Sequence, residues 1–242
     1  MLVGIGLKCY YSIQHLQAAA YLTRQASRIE SCLSNEFNLE LVALKAYVSS
    51  ALFSSVAFLE ALANEMYADA MQADGGHLSQ LDQNSRKMIA SLGETESVQK
   101  SAILTKFDLI LTAAGKPTIS RDCDPYQAVA TVIRLRNEIV HYKAPFFDTG
   151  TENMVRTGNF NDSKLAKQIK GKFELRKNAQ VLSGDSFLGH GLAEWSLQSS
   201  VKLADTIFSI LNVDPYFDHV RENLGTKHIT NDTAIDKPSD IN

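Results

Sequence analysis

Arg136, Asn137 and His141 are the residues of this chain whose types and spacing suit chemistry. A guanidinium presents a planar, permanently charged fork to an anion, and an imidazole exchanges protons near neutral pH. An Arg and a His brought to one anionic centre can therefore stabilise developing charge and move protons without a metal. Arg134 lies two helical turns from His141 on the same side and is a second candidate anion contact. Other chemistries lack their residues. There is no Gly-rich phosphate loop, no His-Glu-x-x-His, no Cys-x-x-Cys and no Gly-x-Ser-x-Gly. His15, His77, His190, His219 and His228 have no metal-ligand spacing and read as surface or core histidines, so no metal and no cofactor is expected.

The stretch that must position these residues is DPYQAVATVIRLRNEIVHY, Asp124 to Tyr142, within a motif helix expected over about 124–143. At about 100° per residue, Ala128, Val129, Val132, Ile133, Leu135, Ile139 and Val140 fall in one broad apolar arc. Arg136 falls near the middle of that arc. A guanidinium there requires a carboxylate, carbonyls, a partner chain or an anionic ligand in front of it. A structural ion pair and a functional arginine are both open at this point, and Glu60 or Glu65 is the candidate counter-charge. Five residues of helix separate Arg136 from His141 by about 140°, so one helix alone converges the pair poorly.

The string Arg136-Asn137-Glu138-Ile139-Val140-His141, an Arg-x4-His with a polar residue after the Arg, resembles the HEPN family. LEALANE at Leu59 to Glu65 is similar to the acidic early helix often paired with that motif, and the resemblance covers about residues 39–212. It implies a HEPN-like helical bundle and a metal-independent endoribonuclease, either a toxin or a phage-defence effector. Arg136, Asn137 and His141 would be catalytic, with Glu60, Glu65, Arg134 and Tyr142 in support. It further implies RNA as substrate, cleavage by attack of the ribose 2′-OH, and a homodimer whose two motif helices meet across a two-fold axis. A neutralising antitoxin or regulatory protein is an implied partner. Tyr142 follows His141 directly, whereas toxins paired with a nucleotidyltransferase antitoxin carry His-x-Tyr. The rival expectation is a HEPN-like binding module without catalysis, which recruits a protein or RNA.

The rest of the chain reads as all-α. Helical patterns run from about Cys9 to Leu33, Leu39 to Ala73, Leu78 to Leu92, Thr95 to Ala114 and Phe187 to Val213, with an added N-terminal helix before the bundle. The second of these has no Gly or Pro and is apolar on most sides, so other helices should surround it. An irregular excursion rich in Gly, Asn, Asp and Thr follows the motif helix. A basic run from Arg156 to Lys177 comes next, read as a solvated face or a phosphate contact. Trp195 reads as core rather than a platform for bases. One domain over residues 1–224 and a disordered tail over 225–242 are expected.

With 45% hydrophobic residues and a net charge of −3, the chain can build a core but is not a nonspecific coat for nucleic acid. Three cysteines without pairing or metal spacing suit a reducing compartment, and the opening MLVGIGLK is too short to span a bilayer. A cytoplasmic protein without membrane partners is the expectation.

Overall fold

The structure, a computed structural model, describes residues 8–33, 39–72, 76–141, 147–148, 155–156, 164–176 and 186–227. Among them the chain is all-α: α1 (Tyr11–Cys32), α2 (Leu39–Ala70), α3 (Gln83–Gly93), α4 (Glu96–Gln99), α5 (Ile103–Ala113), α6 (Asp124–Val140), α7 (Lys164–Ile169) and α8 (His190–Leu211). Two 3-10 turns, Gly76–Leu78 and Asp218–Asn223, lie between or after them. The only pairing of extended chain among the described residues is an antiparallel ladder of Phe147–Asp148 with Val155–Arg156, inside the expected excursion. The rest of that excursion, residues 228–242 and Tyr142 lie outside the described residues.

The axis of the fold is α2. It is long and apolar enough, by length and composition, to cross a membrane, but α1, α3, α5, α6 and α8 all pack against it. Leu44, Val48, Leu52, Phe58, Leu59, Leu62 and Met66 are buried along it. An apolar helix of this kind is stable in water only when neighbours cover it on several sides. Hydroxyls inside the bundle are satisfied locally: Thr23 donates to the Ala19 carbonyl at 2.8 Å, Ser55 to Ala51 at 2.8 Å and Ser196 to Leu192 at 2.7 Å. Each bond runs back one turn, so these small side chains let helices approach without stranding a polar atom.

Several expected boundaries move for identifiable reasons. The Thr95–Ala114 stretch is two helices, because Ala102 is extended and Ser101 donates its hydroxyl to Val98 O at 2.7 Å. A helix start expected at Leu78 comes at Gln83, where the Asp82 carboxylate accepts from the backbone N–H groups of Asn84 at 2.9 Å and Ser85 at 3.0 Å. At the start of α6, Cys123 is the N-cap, and Asp124, the first helical residue, pairs with Lys202 of α8 at 2.8 Å. The expected tail boundary at 225 falls inside a held segment. Arg24 donates to the carbonyls of Asn223 at 2.9 Å and Gly225 at 2.7 Å, and the Thr226 hydroxyl donates to Glu194 at 2.5 Å.

One end of the bundle is closed by a polar knot on the last turns of α2. Asp69, fully buried, forms an ion pair with Lys8 and accepts from the Tyr10 hydroxyl at 3.1 Å and the His77 backbone N–H at 2.7 Å. Gly76 has a φ of +42°, and a Cβ there would lie 2.2 Å from Asp69 Oδ2 and 2.4 Å from the Tyr10 hydroxyl. Gly76→Ala is therefore expected to cost at least about 2 kcal/mol, from a positive φ plus a clash with a buried carboxylate. Gly225→Ala, which meets nothing within 4 Å, should stay within about 0.5 kcal/mol of the parent in the same urea unfolding series.

Candidate functional site

The motif residues sit at the C-terminal end of α6, where the sequence expectation is changed in two ways. The helix ends at Val140 rather than 143, and His141 is its C-cap, with φ −102° and ψ 28°. His141 leaves the helical direction, and its backbone N–H still donates to the Asn137 carbonyl at 2.8 Å. Asn137 and His141 are thus joined through the main chain. The 140° separation read from helical geometry no longer fixes the direction of the imidazole. Val140, assigned to the apolar arc by periodicity, is 53% exposed.

Below that end the arc is real. Ala128, Val129, Val132 and Leu135 are buried, and Ile133 and Ile139 pack against the core partly covered. Arg136 is half-buried on this helix. Its Nε is fully shielded from solvent and has no hydrogen-bond partner, and no ion pair of Arg136 occurs among the described residues. Arg134 is exposed and donates to the Gln168 side chain of α7 at 2.5 Å, so it is bound on the protein's own surface.

Neither expected counter-charge serves Arg136. Glu60 pairs with Lys106, whose side chain is only 3% exposed and which also donates to Asn64 Oδ1 at 2.9 Å. The Glu60–Asn64 face read from the sequence exists, and its occupant is a lysine from α5. Glu65 accepts from the Ser12 backbone N–H at 2.9 Å and lies 3.2 Å from His77 Nε2. Burial works to raise the Glu65 carboxyl, but the bonds from His77 and Ser12 outweigh it and leave the group below its ordinary range. Burial likewise pushes the Tyr10 phenol up to about 12. Sequence reasoning missed this cluster of Tyr10, Asp69 and His77. The signal was available in Glu65 and Asp69, four residues apart on one helical face.

Arg136, Asn137 and His141 are neighbours at one helix end, whereas Glu60 and Glu65 belong to two other polar contacts along α2. No group of three or more His, Cys, Asp or Glu residues that could hold a metal occurs among the described residues. No family model matches this chain, and no curated protein or solved structure matches it either.

Two outcomes follow. Because no carboxylate among the described residues compensates Arg136, Arg136→Met should leave the melting temperature unchanged or raised, while Glu60→Gln should cost about 1–3 kcal/mol by leaving Lys106 buried without its anion. The Glu65 contribution has a definite sign with pH. A carboxyl held below its ordinary value of 4.5 stabilises the fold above that value, and the stabilisation is lost as pH falls through and below it. Acid unfolding followed by circular dichroism should therefore be shallower in Glu65→Gln than in the parent across that range.

Proposed function

We propose that this chain is a HEPN-type, metal-independent endoribonuclease, a cytoplasmic toxin or phage-defence effector that acts as a homodimer. The observation that carries the reading is Arg136: a half-buried guanidinium with a shielded, unpartnered Nε and no counter-charge among the described residues, beside the exposed His141. Leaving a cation partly desolvated and uncompensated is costly, and an anion delivered by a substrate relieves that cost. The all-α architecture, with α6 against α2 and α8, is consistent with a HEPN-like bundle.

In the proposed reaction the ribose 2′-OH attacks the adjacent phosphorus while His141 accepts its proton. The 5′-oxygen leaves with a proton from a general acid, which a two-fold assembly supplies as the same histidine of the second copy. The products are a 2′,3′-cyclic phosphate and a 5′-hydroxyl. Arg136 sets its fork against the extra negative charge of the pentacoordinate phosphorane, where a fixed donor counts for most. Asn137, exposed beside both residues, can orient the phosphate or the imidazole. Arg134 is free to serve RNA only by giving up Gln168. Glu60 and Glu65 act in this reading as scaffold rather than in the chemistry, and an antitoxin or regulatory protein would act by covering the α6 end. The second reading, a non-catalytic binding module, draws on the exposed Val140 beside His141, an apolar spot suited to a protein partner.

Purified protein is expected to cleave bulk RNA in EDTA, to leave 2′,3′-cyclic ends, and to spare a substrate with 2′-deoxyribose at the cut nucleotide. The rate should vary with pH across the neutral range and fall about 10²–10⁴-fold in His141→Ala. Arg136→Lys should keep the fold and lose most activity, since a point charge does not reproduce the fork. Intact RNA under all these conditions, or cleavage that EDTA abolishes, would exclude the proposed mechanism. Sedimentation should show a dimer at micromolar concentration.

A further inference from the structure

A cleft of about 660 Å³ opens between the C-terminal half of α1, the segment 172–176 after α7, and the first two turns of α8. Its size lies within the range of sites that hold small molecules, about 300–1,000 Å³. It is separate from the α6 end. Lys172 on its rim acts electrostatically on Asp124, at the start of α6, whereas Arg136 lies twelve residues further on, roughly 18 Å along that helix.

The composition of the walls narrows the ligand. Phe173 and Trp195 line the cleft half-buried, with ring centroids 5.4 Å apart and planes inclined at 36°. The two tilted rings make an aromatic wall, and a planar ring can stack on the face of either one. Lys172 and Lys227 stand exposed on the rim, and neither makes a salt bridge among the described residues. The carboxylates of Glu30 and Glu194 are half-buried in the wall. Each commits one oxygen, Glu30 to the His190 backbone N–H and Glu194 to the Thr226 hydroxyl, both at 2.5 Å. A carboxylate has room for further donors. Glu174 is a third acid on the lining and Arg176 a third base, so the formal charges balance. A bare anion therefore gains little here. What fits is a ligand with three features together: a planar ring for Phe173 and Trp195, a donor edge for the carboxylates, and an anionic group for the rim lysines.

We infer that this cleft binds a nucleotide whose base carries an amino group, with the base on Trp195 and Phe173, its amino edge toward Glu30 or Glu194, and its phosphate between Lys172 and Lys227. The inference stands apart from the Arg136–His141 reading. The nucleotide is either free or one unit of a single strand, and the two sources share this chemistry.

Trp195 is the single tryptophan of the chain, so its fluorescence reports on the cleft directly. The full chain is titrated with AMP, GMP, CMP, UMP, inorganic phosphate and a short single-stranded RNA of A and C. Saturable quenching by AMP, GMP or CMP is expected, with UMP weaker by about tenfold because it lacks the amino donor. The double variant Lys172→Ala/Lys227→Ala, changed only at exposed positions, should melt as the parent does and bind at least about tenfold more weakly. Tighter binding of the RNA than of mononucleotides assigns the cleft to a strand, and the reverse order assigns it to a free nucleotide. Absence of saturable quenching by any nucleotide, phosphate binding as tightly as AMP, or unchanged binding by the double variant would each overturn the inference. None of these results bears on RNA cleavage, which His141→Ala tests separately.

Discussion

Two long helices of this fold begin without a capping side chain of their own, and a glutamate from a neighbouring helix supplies each cap. Tyr10 and Gly189 precede α1 and α8 and neither provides a side-chain cap. A helix start leaves backbone N–H groups without intrahelical partners, and where the start is covered by protein they must be satisfied by something other than water. Glu65 of α2 accepts from Ser12 at the start of α1, and Glu30 of α1 accepts from His190 at the start of α8. Each carboxylate also sits favourably against the positive end of the helix dipole. The order α2, α1, α8 is thereby tied together by polar bonds as well as by the apolar core. Gly191 serves the same junction, since a Cβ there would lie 2.4 Å from the Glu174 carbonyl. The close approach of segment 172–176 to α8, which makes one side of the cleft, depends on that missing atom.

The contrast with α6 is informative. Along α2 each carboxylate that faces another element has found a cation or a donor: Glu60 has Lys106, Glu65 has Ser12 and His77, and Asp69 has Lys8, Tyr10 and His77. The carboxylates of that helix are answered, although buried atoms elsewhere, such as His77 Nδ1 and Ser200 Oγ, have no hydrogen-bond partner. The Nε atoms of Arg86 and Arg176 are also shielded and unbonded, but each of those residues takes part in another contact; Arg136 differs in having no side-chain hydrogen bond or ion pair among the described residues. Asp108 has a buried oxygen in the same condition, with its carboxyl pushed up by burial, but a carboxyl can relieve burial by taking up a proton. A guanidinium cannot. Arg136 therefore keeps its charge and can be answered only by an acceptor or an anion brought to it.

Periodicity made much of the fold legible, and the physical reason is plain for each success. The continuous apolar character of α2 required neighbours on several sides, and it has them. The α6 arc is visible because Val129, Val132 and Leu135 repeat at helical spacing and are buried. Events at helix ends were not legible. The break at Ala102 comes from a serine bonding backwards, and the release of His141 from the helix comes from a backbone choice that leaves no trace in hydrophobic spacing. The partners of Glu60 and Glu65 could not be read because both are long-range, 46 residues to Lys106 and 53 to Ser12. Trp195 was assigned to the core by its place in an apolar pattern. It packs, partly buried, against the core and also lines the cleft.

The trans-capping also sets how α1 can vary in length. Ser12, whose N–H donates to Glu65, and Glu30, which accepts from His190 of α8, are eighteen residues apart, and eighteen residues make about five whole turns. The two positions therefore point the same way from the helix axis. Inserting or deleting one residue between them would turn Glu30 by about 100° relative to Ser12 and carry it off the start of α8. Adding or removing a whole turn would restore direction to within tens of degrees but shift the contact by about 5 Å along the axis. Between its two contacts α1 is thus a spacer of fixed length, where changes of residue identity at its exposed positions are tolerated far better than changes of residue number.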